Sequence, residues 1–117
     1  MRTQLINHLK LLVKPLFPKQ AFIRGLGKTD LIIAIDWLMD CPEDPPSKRS
    51  RLIKIIVKED ALNRYATLSQ AQQNKTDEII VGLIQEKLKT FDPKHKIPRG
   101  GIAPQVEWPI DAMTLKI

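Results

Sequence analysis

Thr29 to Asp40 reads TDLIIAIDWLMD, and the fold turns on how that run is taken. Leu31, Ile32, Ile35, Leu38 and Met39 fall at the spacing of one helical face, with Trp37 at its margin. Thr29 or Asp30 supplies a cap and Pro42 a stop, so the spacing predicts a core helix over 29–40. Just upstream stands Arg24-Gly25-Leu26-Gly27-Lys28, and its Gly-Lys-Thr matches the end of a nucleotide-binding P-loop. A complete loop needs another glycine at position 22, where this chain has Phe22, and Pro15 and Pro18 stand where its strand should be. Gly27-Lys28-Thr29-Asp30 therefore reads as a turn and capped helix start.

Downstream, Cys41 to Ser50 (CPEDPPSKRS) holds three prolines and charges of both signs, the composition of an exposed connector. Arg51 to Lys58 (RLIKIIVK) is short and β-branched, so it reads as a strand. Glu59 to Gln73 carries Leu62, Tyr65 and Leu68 at helical spacing, and Asp77 to Phe91 carries Ile79, Ile80, Leu83, Ile84, Leu88 and Phe91. After Phe91, four prolines and a Gly-Gly pair exclude a long helix, so residues 92–117 read as an extended tail beside a single domain at 1–91 with its connector at 41–50. In that tail Val106, Trp108 and Ile110 alternate as an added strand would. Trp108 is thereby an anchor for the arm, on its own domain by preference, or on a protein partner.

The chain has 117 residues, of which 43% are hydrophobic, enough for one modest core. Its 19 basic and 13 acidic residues leave +6, a lean toward polyanionic partners. One cysteine allows no internal disulfide, and no run reaches membrane-spanning length, so the expected setting is cytoplasmic with no membrane partner. His8, Cys41 and His95 stand apart from any ligand spacing, so no metal or other cofactor is expected. The acidic pairs Glu59-Asp60 and Asp77-Glu78 are explained as helix-start charges without catalysis, and no enzyme constellation is present.

Two short stretches recur. Lys28-Thr29-Asp30-Leu31-Ile32-Ile33 is echoed by Lys75-Thr76-Asp77-Glu78-Ile79-Ile80, and Leu9 to Lys14 matches Ile53 to Lys58 in pattern. Residues 5–14 admit two readings, strand by the echo and helix by the spacing of Leu5, Ile6, Leu9, Leu12 and Val13.

With these elements in place, residues 51–91 resemble the ribbon-helix-helix DNA-binding proteins of phages, plasmids and antitoxin systems: Arg51 to Lys58 as ribbon, Asp60 to Gln72 as first helix, Asp77 to Phe91 as second. Residues 5–40 are similar to a second copy, which makes the chain a candidate tandem pseudo-dimer over 5–91. The resemblance implies a mainly α fold with a short β ribbon (α+β) that binds double-stranded DNA as a homodimer or pseudo-dimer, a regulator of transcription or an accessory factor of a mobile element. A two-stranded ribbon enters the major groove, and helix N-termini hold phosphates. It places Lys48, Arg49, Arg51 and Lys54 on DNA, with Lys28, Thr29, Lys75 and Thr76 as phosphate anchors. Ile53, Ile55 and Val57 would face the core, leaving Leu52, Lys54 and Ile56 outward. Two of these three are apolar where the family carries polar residues. That apolar outer face motivates a rival class, a protein-interaction module docking through its strand and the Trp108 tail.

Overall fold

The computed structural model describes residues 2–27, 29–39, 48–91 and 105–117, with backbone alone for Arg2, Leu38, Met39, Lys48 and Arg49. In chain order, α1 (Arg2–Val13) runs into a single 3-10 turn (Lys14–Leu16) and is followed by β1 (Phe22–Leu26), β2 (Leu31–Asp36), β3 (Leu38–Met39), β4 (Lys48–Arg49) and β5 (Ile53–Val57). Then come α2 (Glu59–Ala66), α3 (Gln70–Lys89), β6 (Val106–Ile110) and α4 (Ala112–Leu115). The fold class is α+β.

The helix expected over 29–40 is instead β2 and β3. A near-continuous apolar run satisfies helical and extended spacing alike, and its β-branched content suits a strand shielded on both faces. In β2, Leu31, Ile33, Ala34, Ile35 and Asp36 are all buried. Gly27, Thr29 and Asp30 thus lie between antiparallel β1 and β2, not at a helix start. Gly27 has φ +113°, and a Cβ there would strike the Asp30 carbonyl oxygen, so only glycine fits. Asp30 does cap a helix, but a distant one. Its Oδ1 accepts from the Glu59 N–H at 2.9 Å at the start of α2, and its Oδ2 lies 3.4 Å from the Lys58 ammonium.

The main sheet has the order β1-β2-β5-β6, antiparallel at the first two junctions and parallel at the third. β3 and β4 extend the β2/β5 pair, with Leu38 opposite Arg49 and Met39 opposite Lys48. Ser50 locks this extension: its N–H donates to the Trp37 carbonyl at 2.7 Å and its Oγ accepts from the Trp37 N–H at 3.0 Å. Strand register sets Leu31, Ile33 and Ile35 against Val57, Ile55 and Ile53, and these in turn against Ile110, Trp108 and Val106. That face packs on Leu9, Val13, Leu62, Ile80, Ile84 and Leu115 of the helices. Phe17, Trp37, Phe91 and Trp108 follow one another with ring centroids 6.0–6.3 Å apart.

The expected alternation in β5 holds, with Ile53, Ile55 and Val57 buried and Lys54 and Ile56 half-buried. β5 is hydrogen-bonded on both sides, to β2 and β6, so it has no edge left to form a ribbon with a second copy. The order strand, helix, helix after residue 51 is present, but with other boundaries. α3 starts at Gln70, where Ser69 and Gln72 form a reciprocal capping box, rather than at Asp77. The echoed segments are not structural copies: Leu9–Val13 is helical and Ile53–Val57 a strand, while Leu31–Ile33 is a strand and residues 75–80 lie inside α3. The pseudo-dimer loses its basis, and residues 5–13 are helix. The 92–117 segment does not end as a separate tail, because β6 and α4 bring Trp108, Ile110 and Leu115 into the core.

Candidate nucleic-acid interface

The first 29 residues contain Arg2, Lys10, Lys14, Lys19, Arg24 and Lys28 and no Asp or Glu, whereas the rest of the chain balances 13 basic with 13 acidic residues. The net charge of +6 is therefore that of residues 1–29, the segment that holds α1 and β1. α1 turns Leu9 and Val13 into the core, with Leu5, Ile6 and Leu12 beside them. Asn7, Lys10 and Leu11 on its other side and Lys14 at the start of the 3-10 turn line, with Ala21 and Ile23, an open groove of about 480 Å³. Gly25 permits the close approach of helix and strand. A Cβ there would meet Ile6 Cγ2 at 2.8 Å and Lys10 Cδ at 3.5 Å, so the lysine stem lies across β1.

The second face of the sheet carries a different pattern. Register aligns Leu26, Ile32, Ile56 and Pro109 in one row and Arg24, Ala34, Lys54 and Glu107 in the next. Among the described residues, none of these row members belongs to the helix-covered core cluster. Leu26 is 53% exposed and Ile32 and Ile56 are half-buried, so an apolar stripe adjoins two basic side chains flanking a small alanine.

The expected DNA residues are dispersed. Lys48 and Arg49 form β4, and Lys54 lies on the second sheet face. The Arg51 guanidinium sits 5.8 Å from the centre of the Phe91 ring, an apolar engagement absent from the sequence reading. Thr29 is in the β1–β2 link, and Lys28 lies outside the described residues. Lys75 is exposed but sits mid-helix, away from the free N–H groups of a helix start. Thr76 is 2% exposed, and its hydroxyl donates to the Gln72 carbonyl at 2.9 Å, which removes it as a phosphate anchor. Because α3 packs through Ile80 and Ile84 on the core face, Lys75 lies across the sheet from Lys54. Trp108 is 5% exposed and touches Phe91, so it anchors β6 to its own domain rather than presenting a ring to a partner.

A cleft of about 450 Å³ between α1, α2 and the start of α3 was not anticipated, since its parts are distant in sequence. At its margin His8 Nε2 lies 2.9 Å from Asp77 Oδ2, and the Tyr65 hydroxyl donates to Asp77 Oδ1 at 2.8 Å. One carboxylate thereby ties α1 and α2 to α3. Burial, then the hydrogen bond to Asp77 and its negative charge, push the Tyr65 phenol well above its ordinary range, so it acts as a neutral donor. Among the described residues no three His, Cys, Asp or Glu converge as metal ligands, and no helix is long and apolar enough to cross a membrane. The absence of acidic residues before Asp30 was the sequence signal for the α1–β1 surface, and a whole-chain charge count conceals it. No family model, curated protein or solved structure is detectably similar to the chain, so its functional reading rests on this geometry.

Proposed function

We propose that the protein is a small, non-enzymatic DNA-binding regulator or accessory factor whose contact surface is the basic α1–β1 edge. The observation that carries this reading is the gathering of the full +6 on residues 1–29, with Lys10 and Lys14 lining one groove. Lysines at that spacing meet successive phosphates and release counterions, which supplies affinity without reading bases. The order strand, helix, helix in β5, α2 and α3 is the one read from the sequence. Since β5 is interior, the contact is assigned to α1 and β1 rather than to a ribbon in the major groove.

The test is a salt titration of binding to duplex DNA. Each phosphate contact contributes about 0.9 to the slope of log affinity against log salt, so joint alanine replacement of Lys10, Lys14 and Arg24 is expected to reduce the slope by about 2 to 3. Replacement of Arg49, Arg51 and Lys54 is expected to change it less. An unchanged slope in the first variant, or no binding by the parent protein, defeats the assignment.

A second reading, a protein-interaction module, is favoured by the row Leu26-Ile32-Ile56-Pro109 on the second sheet face. A protein that ignores DNA and co-purifies with one partner in fixed ratio supports it.

A further inference from the structure

β1 pairs with β2, and among the described residues no strand lies on its other side. Four of its five residues are exposed. An edge with no strand beside it is a template for another strand, and proteins ordinarily blunt such edges with proline, a bulge, a covering element or charged side chains, the last of which also select the charge of any strand that is added. β1 has no proline, and its register with β2 runs without a bulge from Phe22↔Asp36 to Leu26↔Ile32. The exposed charges that flank this edge are basic, and Asp36, opposite Phe22 on β2, is buried. Lys10 and Lys14 stand over it on the helix side, Arg24 projects from its second face, and no carboxylate occurs in the first 29 residues.

We propose that β1 accepts an extended acidic segment of a partner protein as a fifth strand. Backbone hydrogen bonds supply the pairing and alternate side chains the selectivity. In an added strand, neighbours point to opposite faces. Residues across from Ile23 and Gly25 therefore face Lys10 and Lys14, and the residue across from Arg24 faces its guanidinium, so all three are acidic. The residue across from Leu26, which is 53% exposed, is apolar. A second copy of this chain is the wrong occupant, because two β1 edges together would oppose the same cations. The pairing stands apart from the nucleic-acid reading. Only its consequence, that the acidic strand and DNA exclude one another, rests on that reading.

The probe is a blocked, fluorescently labelled peptide with the core valine-aspartate-glutamate-aspartate-valine, titrated with the full chain at low salt. Two derivatives are N-methylated, one on each alternate set of residues, and a further control replaces the acidic residues by lysine. The acidic peptide is expected to bind. One N-methylated derivative should lose about tenfold or more in affinity while the other keeps it, since only alternate N–H groups of an added strand face β1. Joint Lys10→Glu and Lys14→Glu replacement should reverse the preference toward the lysine peptide. If both N-methylated peptides bind like the parent, or the acidic and lysine peptides bind alike, the inference is overturned. It is also overturned if the chain sediments as a dimer that the peptide neither binds nor dissociates, because a second copy then holds the edge. DNA binding without peptide binding sinks this inference and leaves the DNA reading standing, whereas peptide binding without DNA binding does the reverse.

Discussion

β6 and β1 bound the same sheet, yet their residues meet solvent in opposite ways. β6 is held by a parallel partner, buries Trp108 and Ile110, and carries Pro109, which has no N–H to offer a further strand. α4 continues directly from it and buries Ala112 and Leu115, and the Ala112 N–H reaches Asp60 Oδ2 on α2 at 3.4 Å. β1 buries no residue fully, has no proline, and is flanked by cations. The contrast separates an edge that closes the core from one left available for contact. Stability should therefore reside on the β6 side and binding on the β1 side.

The largest expected effect comes from breaking the closed edge. Trp108→Ala removes a buried ring between Ile55 and Phe91 and should cost about 3–5 kcal/mol, read from the midpoint of urea unfolding. A loss below about 1 kcal/mol would show that β6 does not close the core. At the other edge, Gly27→Ala forces a left-handed backbone angle on a residue whose Cβ would strike a carbonyl, at about 1–3 kcal/mol, and should loosen the β1–β2 pairing. Amide exchange that speeds in β1 and β2 but not in β6 would sharpen the distinction; uniform acceleration would erase it.

Asp77→Ala tests the tie between the basic helix and the rest, and should cost about 1–3 kcal/mol by leaving the buried Tyr65 hydroxyl without its acceptor. It has a pH signature. The Tyr65 phenol is raised above its unfolded value of 10.0, so its contribution is complete below that pH and is lost as pH rises toward the folded value. Tyr65 is the chain's one tyrosine, so phenolate absorbance reports it directly. In the parent protein, ionisation should accompany alkaline unfolding; in Asp77→Ala the onset should fall, with burial still holding it above the ordinary range. An identical onset in both proteins would detach Asp77 from Tyr65. The smallest effect is expected at Leu26→Ala, within about 0.5 kcal/mol, because the side chain is already more than half exposed. A large loss there would mean that the β1 edge is covered.

Elements with one consistent local signal were legible. The alternation of Ile53, Ile55 and Val57 identified β5 and its core face, and Val106, Trp108 and Ile110 identified an added strand. Glu59 and Asp60 stand at a helix start as expected. The Ser69/Gln72 capping box that starts α3 went unread, and the helix boundary was placed at Asp77, which instead meets His8 and Tyr65 from inside α3. Of the candidate site, the charge was visible and its location was not used. The groove itself requires α1 to lie over Gly25, a contact between residues 6 and 25 that no local pattern announces.

By itself, the sequence determined the quantities that depend on residue type and near neighbours: the sign of the charge, its net excess in residues 1–29, and the faces of β5 and β6. Tertiary structure decided the rest. Leu9–Val13 and Ile53–Val57 share one pattern and adopt helix and strand, and Leu31–Ile33 and Glu78–Ile80 divide the other way. Apolar runs satisfy both periods, so the choice belongs to the partners that bury them. Leu31–Asp36 is a strand because β1 and β5 stand along its two edges and take up its backbone hydrogen bonds, while the helices cover the face that carries Leu31, Ile33 and Ile35.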